Sequence, residues 1–381
     1  MQILGILAFV VALLLSVMIH EFGHFLTAKH YGMKVSEFFL GFGARIWSTK
    51  RGETEFGIKA IPAGGYCRIE GMVPTDVMEA GEEDRAFYRA SSGRKLIVLG
   101  AGSFLHFVLG YILIFILFAG VGVNQLLPTI SQISPKSGAA AAGLLPGDTV
   151  LAINGVKVRD WSNDVKAIRN SGGKSLSLEI LRGTQTQTIT ATPTQEIIDG
   201  KPRWILGIIN KVGLKRTNPI SSLKNAGLVT RDFTVASFKS LGQLPAKIPA
   251  LWGQSVGGKK RDANGLVGVV GVARASGQAL GSTKLSFAER IATFILIIAS
   301  LNIFVGIFNL LPLLPLDGGH MAVAIADEVR AFFARLRGRP RPAAIDVTVL
   351  TPITMVVFVL LAALTLLLLF ADIVNPVNLN L

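Results

Sequence analysis

The chain has 381 residues, of which 50% are apolar and only 16% charged, against about 25% charged in soluble domains. This balance excludes intrinsic disorder and argues against an ordinary cytosolic enzyme, while the single cysteine, Cys67, excludes a disulfide framework and a cysteine-based zinc cluster. The net charge of +14 lies in no basic run interleaved with aromatics, so no nucleic-acid partner is expected, and the cations suit an anionic lipid surface.

Crossing a bilayer takes about 20 mostly apolar residues, and four blocks qualify: 3–28, 96–123, 291–316 and 347–371. The first resembles a leader in length. It has no preceding Lys or Arg and no small-residue cleavage site, and it contains His20, Glu21 and His24, so we read it as a retained membrane helix. The short stretch between blocks three and four carries Arg330, Arg335, Arg337, Arg339 and Arg341, which assigns it to the cytoplasm. Parity then puts the loop between blocks one and two in the cytoplasm, with both termini and the long stretch after block two outside.

Between the first two blocks, residues 34–68 read as strands. Glu55-Phe56-Gly57-Ile58-Lys59-Ala60-Ile61 alternates with period two, and Gly64-Gly65 is expected to turn. Residues 76–84 are acidic and expected to be exposed. After block two comes a β-rich pattern, about 127–202: a turn at Gly143–Asp148, a strand ending in the Asn154-Gly155 turn, and a hairpin about Arg182-Gly183. Residues 213–285 are expected to form one or two helices on the outer membrane surface, with Gly265–Gly271 dipping into the interface.

The chemistry starts at His20-Glu21-Phe22-Gly23-His24. On a helix, histidines four residues apart project from one face and suit one zinc ion, and Glu21 lies next to them as a base for a water on the metal. The bare pattern recurs by chance in about one chain per hundred of this length. Here it sits in an apolar helix, where ionisable side chains are costly and serve function. A third ligand is expected from Asn309-Leu-Leu-Pro312-Leu-Leu-Pro315-Leu-Asp317-Gly318-Gly319-His320. The prolines interrupt the helix, the glycines allow a tight turn, and Asp317 turns inward. Blocks one and three cross in the same direction and carry their motifs towards their C-terminal ends, so the two motifs fall at similar depth near the cytoplasmic face. Asn302 reads as helix–helix glue and His106 as a packing polar residue or a donor near the site.

With both metal motifs in this order, the chain resembles the site-2 protease family of intramembrane zinc metalloproteases, in its bacterial RseP-like group. Gly41-Phe42-Gly43, Gly64-Gly65-Tyr66 and the PDZ-like run Gly143–Gly155 add to the resemblance. It implies a polytopic α-helical membrane protein with four transmembrane helices, a membrane-associated β-hairpin element and an extracytoplasmic PDZ domain. The expected division is 1–123 with the β-rich loop 29–95, a PDZ domain at 127–202, a linker at 203–290 and the last two helices at 291–381. It implies Zn2+ held by His20, His24 and Asp317, Glu21 as catalytic base, and Asn309 on the substrate backbone.

It further implies a bacterial inner-membrane endopeptidase that cuts transmembrane segments of single-pass proteins such as anti-sigma factors or remnant signal peptides. The PDZ domain is expected to bind a peptide C-terminus or to act as a steric filter. One departure lies at Gly102-Ser103-Phe104-Leu105-His106, where the group often has Gly-Pro-x-x-Asn. Two rival readings of the motifs are a catalytically silent scaffold and a zinc transporter. Relics have no reason to keep all four residues, and four apolar helices offer little polar material for a transport path.

Overall fold

The computed structural model describes residues 1–198, 200–255, 257, 261 and 265–377. Two compact units emerge: residues 1–120 with 218–381, and residues 121–217.

The larger unit opens with helix α1 (Gln2–His30). It is mostly apolar with no proline, and in lipid such a segment must satisfy its backbone internally. It stops at Gly32, whose φ of 75° reverses the chain. The amides of Met33 and Gly32 bond back to the carbonyls of Ala28 (2.9 Å) and Lys29 (3.0 Å), a Schellman ending. Strands β1 (Val35–Arg51) and β2 (Thr54–Ile69) follow as an antiparallel pair. Their turn is at Gly52, φ 63°, whereas Gly64-Gly65, expected to turn, lies inside β2.

The pair folds back on itself. Phe38 opposes both Phe56 and Cys67, and Phe39 opposes both Gly57 and Tyr66. Residues 37–40 are thus flanked by 55–58 on one side and 65–68 on the other. The sharp bend in β1 needs Gly41: its φ is 89°, and a Cβ there would stand 2.8 Å from the Ile61 carbonyl oxygen. Arg85 clasps the Glu53 carboxylate with two bonds of 2.7 Å, and Lys29 also donates to it. Arg85, then Lys29, hold the Glu53 carboxyl down at about 2, which ties the hairpin turn to the end of α1.

Helix α2 (Ser92–Ile116) continues as a short π-helical turn to Val121. Ala28, Met33, Val35, Ile69, Phe87, Val98 and Leu99 form one buried cluster, which locks α1, the hairpin base and α2 together.

In the smaller unit, strands run in the order β10-β3-β4-β6-β7, with β5 on β4 and a separate β8-β9 hairpin. The strands are β3 (Val123–Ile133), β4 (Thr149–Ile153), β5 (Val156–Lys157), β6 (Leu176–Arg182), β7 (Gln185–Ala191), β8 (Thr194–Ile198), β9 (Lys201–Ile205) and β10 (Ile208–Lys215). Three one-turn helices, α3 (Gly138–Ala141), α4 (Trp161–Asp164) and α5 (Lys166–Arg169), complete it. Asn154 and Gly155 both have positive φ, 49° and 79°, as the two-residue β4–β5 turn requires. Ile130, Val150, Leu178 and Ile180 anchor a core closed by Trp161 and Ile168. The smaller unit runs on to residue 217, with β10 in its main sheet, past residue 203 where the linker was expected to begin.

The chain re-enters the larger unit with α6 (Pro219–Gly242), α7 (Leu244–Ser255) and α8 (Val269–Gly281). Ala226 of α6 is fully buried with Ile114, Ala299 and Ile303, and α8 packs on α1. There Gly5 and Gly277 approach so closely that a Cβ on Gly5 would lie 2.8 Å from the Gly277 Cα, a small-residue contact of the kind membrane helices use. The amides of Gly268 and Gly271 donate to Asp372 at 2.9 and 2.8 Å.

Helix α9 (Phe287–Asn309) starts with a Ser286/Glu289 capping box. It stops seven residues short of the expected limit, because Pro312 removes an amide and biases its predecessor away from helix. α10 (Asp317–Leu336) and α11 (Thr351–Val374) follow. Four helical spans, 2–30, 92–121, 287–309 and 347–374, are long and apolar enough to cross a membrane among the described residues.

Candidate active site

His20 and His24 lie one turn apart near the C-terminal end of α1, each only 7% exposed. Gly23 lets α2 approach there, since a Cβ at that position would lie 2.6 Å from the Ala101 carbonyl oxygen. On the facing surface Gly102 leaves room for the imidazoles: its Cβ would lie 2.5 Å from His20 Cε1 and 2.6 Å from His24 Nε2. The two glycines bring α1 and α2 into backbone contact at the level of the histidines.

Asp317 arrives from the other end of the sequence as the first residue of α10. Its neighbours are glycines for steric reasons. A Cβ on Gly318 would lie 2.3 Å from the Leu310 carbonyl, and one on Gly319 would lie 2.4 Å from the Leu314 nitrogen. Neither glycine has the positive φ of a turn residue. The tight turn expected after Asp317 is instead the start of a helix pressed onto the 310–316 loop.

The three donor atoms converge. His20 Nε2 lies 3.2 Å and His24 Nε2 3.3 Å from Asp317 Oδ2, and the two Nε2 atoms are 3.1 Å apart. Four ligands about 2.0–2.1 Å from a tetrahedral zinc stand about 3.3 Å from one another, so this triangle has the edge a zinc ion requires. His24 Nδ1 is 2.8 Å from the Val98 carbonyl. A carbonyl only accepts, so Nδ1 carries the proton and Nε2 presents a lone pair. Asp317 Oδ2 is buried with no hydrogen-bond partner. A lone pair and a carboxylate facing each other in a buried site call for a cation, and these residues fit zinc.

Glu21 stands beside the histidines. It packs against β2, where a Cβ on Gly65 would lie 3.5 Å from Glu21 Cγ, and the Cys67 backbone N–H faces its carboxylate. Burial pushes the Cys67 thiol up to about 12, so it stays protonated. Asn309 ends α9, half-buried, and stands outside the triangle. It connects to it through Leu310, whose carbonyl lies against Gly318.

Beside this set lies a network of Asn302, expected as helix–helix glue, and His106, expected as a packing residue or a donor near the site. The His106 ring lies 4.9 Å from that of His20. His106 Nδ1 is 2.8 Å from Asn302 Oδ1. The Asn302 amide donates to the Ile298 carbonyl at 2.8 Å and to Ser16 Oγ at 3.1 Å, and Ser16 donates to Ala12. Because Asn302 uses its NH2 on these acceptors, its oxygen faces His106 and Nδ1 must be the protonated nitrogen. The signal for this cluster in the sequence is three polar residues, Ser16, His106 and Asn302, inside three apolar blocks.

Helices long and apolar enough to cross a membrane and a buried two-histidine, one-carboxylate cluster define the class: a membrane protein with a candidate zinc site. The profile of peptidase family M50 matches residues 8–361. Zinc metalloprotease Rip1 of Mycobacterium tuberculosis (strain H37Rv) is 34% identical over an alignment covering 100% of this chain and 99% of the relative. Rip1 of Mycobacterium bovis is equally similar, at 34% with the same coverage. Rip1 of Mycolicibacterium smegmatis is 33% identical, covering 98% of each. The chain belongs to the M50, or site-2 protease, family, and it is a membrane zinc metalloprotease.

Proposed function

We propose that the enzyme cuts a peptide bond inside the transmembrane segment of single-pass membrane proteins, with His20, His24 and Asp317 holding zinc and Glu21 as base. The observation that carries this is the triangle of His20 Nε2, His24 Nε2 and Asp317 Oδ2, with edges of 3.1 to 3.3 Å. Zinc held by these residues would polarise a carbonyl and lower the pKa of a water to about 7. Glu21 removes the water proton and delivers it to the leaving amine. The Cys67 N–H steadies the carboxylate between those two transfers.

A helical substrate hides its carbonyls in its own hydrogen bonds, so it must unwind before attack. Residues 65–68 pair with 37–40 on one side, and Gly65 and Cys67 lie against Glu21 on the other. An unwound segment adding to this edge would gain main-chain bonds with little side-chain selectivity. Asn309 then satisfies a freed backbone group. The hairpin exposes Phe42, Ile46, Trp47, Ile58 and Ile61, which suits an element dipping into lipid. The account favours substrates with weak, Gly- or Pro-like helical positions.

We further assign the stretch from the C-terminal half of α10 to the start of α11 to the cytoplasm, from its five arginines at 330–341. The active site then opens near the cytoplasmic face of a bacterial inner membrane, both termini are extracytoplasmic, and cleavage releases a cytoplasmic fragment. Anti-sigma factors and remnant signal peptides are the substrate classes this suits. The unit 121–217 is proposed as an extracytoplasmic PDZ domain that binds a peptide C-terminus or bars bulky substrates. The test is cleavage of a single-pass substrate by native and Glu21→Gln protein in liposomes, with zinc measured on both. Loss of cleavage with zinc retained supports the reading. Equal cleavage by the two chains contradicts it.

A further inference from the structure

Helix α10 carries Asp317 at one end and an unpartnered apolar stripe at the other. Its buried residues are small: Gly318, Gly319, Ala324, Ala331 and Ala334. Its large apolar residues point the other way. Ile325, Val329, Phe332, Phe333 and Leu336 are between 47% and 67% exposed, and their spacing of four, three, one and three puts them on one helical face.

The depth of this stripe follows from its neighbours. Ser92, the first residue of α2, donates to Glu328 Oε2 at 3.0 Å, and Arg341 reaches the same oxygen at 3.0 Å. The C-terminal half of α10 therefore lies level with the start of one spanning segment, and the next begins at Val347. The charges fit that depth. Arg330 pairs with Asp327 at 3.4 Å, and Arg335 and Arg341 pair with Glu328 at 3.2 and 3.0 Å. These pairs offset both carboxylates of the helix's C-terminal half, Asp327 and Glu328. Arg337 and Arg339, just past its end, are exposed and have no ion-pair partner among the described residues.

We propose that the C-terminal half of α10 docks on anionic phospholipid headgroups. The apolar stripe sinks into the headgroup boundary, and Arg337 and Arg339 pair with the lipid phosphates while their stems lie along the apolar surface. The surface bears on the active site, on the reading that Asp317 is a zinc ligand. Gly318 and Gly319 are wedged against residues 310–314, so α10 is one rigid element from Asp317 to the lipid contact. Anionic lipid holding one end steadies the carboxylate at the other.

The test uses the full chain with Phe332→Trp, in vesicles of phosphatidylcholine alone or mixed with brominated phosphatidylglycerol. The emission added relative to the native chain is expected to fall at least twofold with the brominated lipid. An arginine at an anionic surface changes partitioning by about fivefold. Adding Arg337→Gln and Arg339→Gln should therefore raise several-fold the phosphatidylglycerol fraction needed for the same quenching, and high salt should do likewise. Unquenched, water-like emission in both vesicles, or quenching indifferent to the two arginines, overturns the proposal. Cleavage in the same vesicles is read separately: native activity should rise with phosphatidylglycerol and the Arg337→Gln, Arg339→Gln chain should not follow it. Fluorescence decides the lipid contact whether or not the chain cleaves, so failure of the protease reading is told apart from failure of the surface.

Discussion

Gly102 and His20 are packed so that a methyl group on the glycine would lie 2.5 Å from the imidazole Cε1. The same methyl group would meet His24 Nε2 at 2.6 Å, so neither ring can move aside without leaving the triangle. Gly102→Ala is expected to weaken zinc binding at least tenfold, with an overpacking cost of about 1–3 kcal/mol. Chelator competition on purified protein measures the first effect. Gly100→Ala is the control, because its Cβ would meet nothing closer than Met321 Cε at 3.8 Å. Equal zinc affinity in the two variants would refute the steric argument.

The His106–Asn302–Ser16 chain joins α2, α9 and α1 beside the His20 ring. Asn302→Leu would leave the Nδ1–H of His106 buried without an acceptor. The expected cost is about 1–2 kcal/mol, visible as a lower Tm in detergent. His20 Nδ1 has no hydrogen-bond partner of its own, so its ring orientation rests on packing against His106 and Gly102. A cobalt-loaded Asn302→Leu protein is therefore expected to show an altered ligand-field spectrum, a change that simple destabilisation would not produce. An unchanged spectrum would mean the network leaves the His20 ring alone.

The parts of this site legible in the sequence are those that local chemistry writes into adjacent letters. His20, Glu21 and His24 are one helical turn, and the four apolar blocks follow from length alone. Asp317 was legible because prolines and glycines flag broken backbone at membrane depth. The reason for those glycines was not legible, since it lies in how close Leu310 and Leu314 come in space. The end of α9 was misjudged because Leu310–Leu316 reads as apolar whether helical or not. The doubled register of Phe38 and Phe39 was hidden for a related reason: period-two alternation marks a strand and says nothing of how many partners it has. α6 reads as amphipathic, and only the folded chain shows that Ala226 packs with Ile114 and Ile303 while Ile220, Val235 and Phe238 stay exposed.

In the smaller unit, the Asp148 side chain is 1% exposed and clasped by Arg182 at 2.7 and 2.8 Å. The guanidinium beside it, aided by the Leu145 amide, holds its carboxyl below the usual value. The sign follows directly. A depressed carboxyl stabilises the fold above its unfolded pKa of about 3.9, and the contribution is lost as pH falls through the lower folded value. Asp148→Asn is expected to cost about 1–2 kcal/mol at neutral pH, the modest figure reflecting an arginine that is 34% exposed. Hydrogen exchange of the β6 amides in the full chain measures it. The difference from the native chain should shrink below about pH 4, and a constant difference across that range would contradict the assignment.

The measurement that bears most directly on the central claim is zinc coordination by X-ray absorption on the native chain, with zinc content of His20→Ala, His24→Ala and Asp317→Ala alongside. The account predicts two imidazole nitrogens and oxygen ligation at about 2.0–2.2 Å, and near-complete loss of zinc in each variant. Native zinc content in Asp317→Ala, or a coordination shell without two imidazoles, would contradict it.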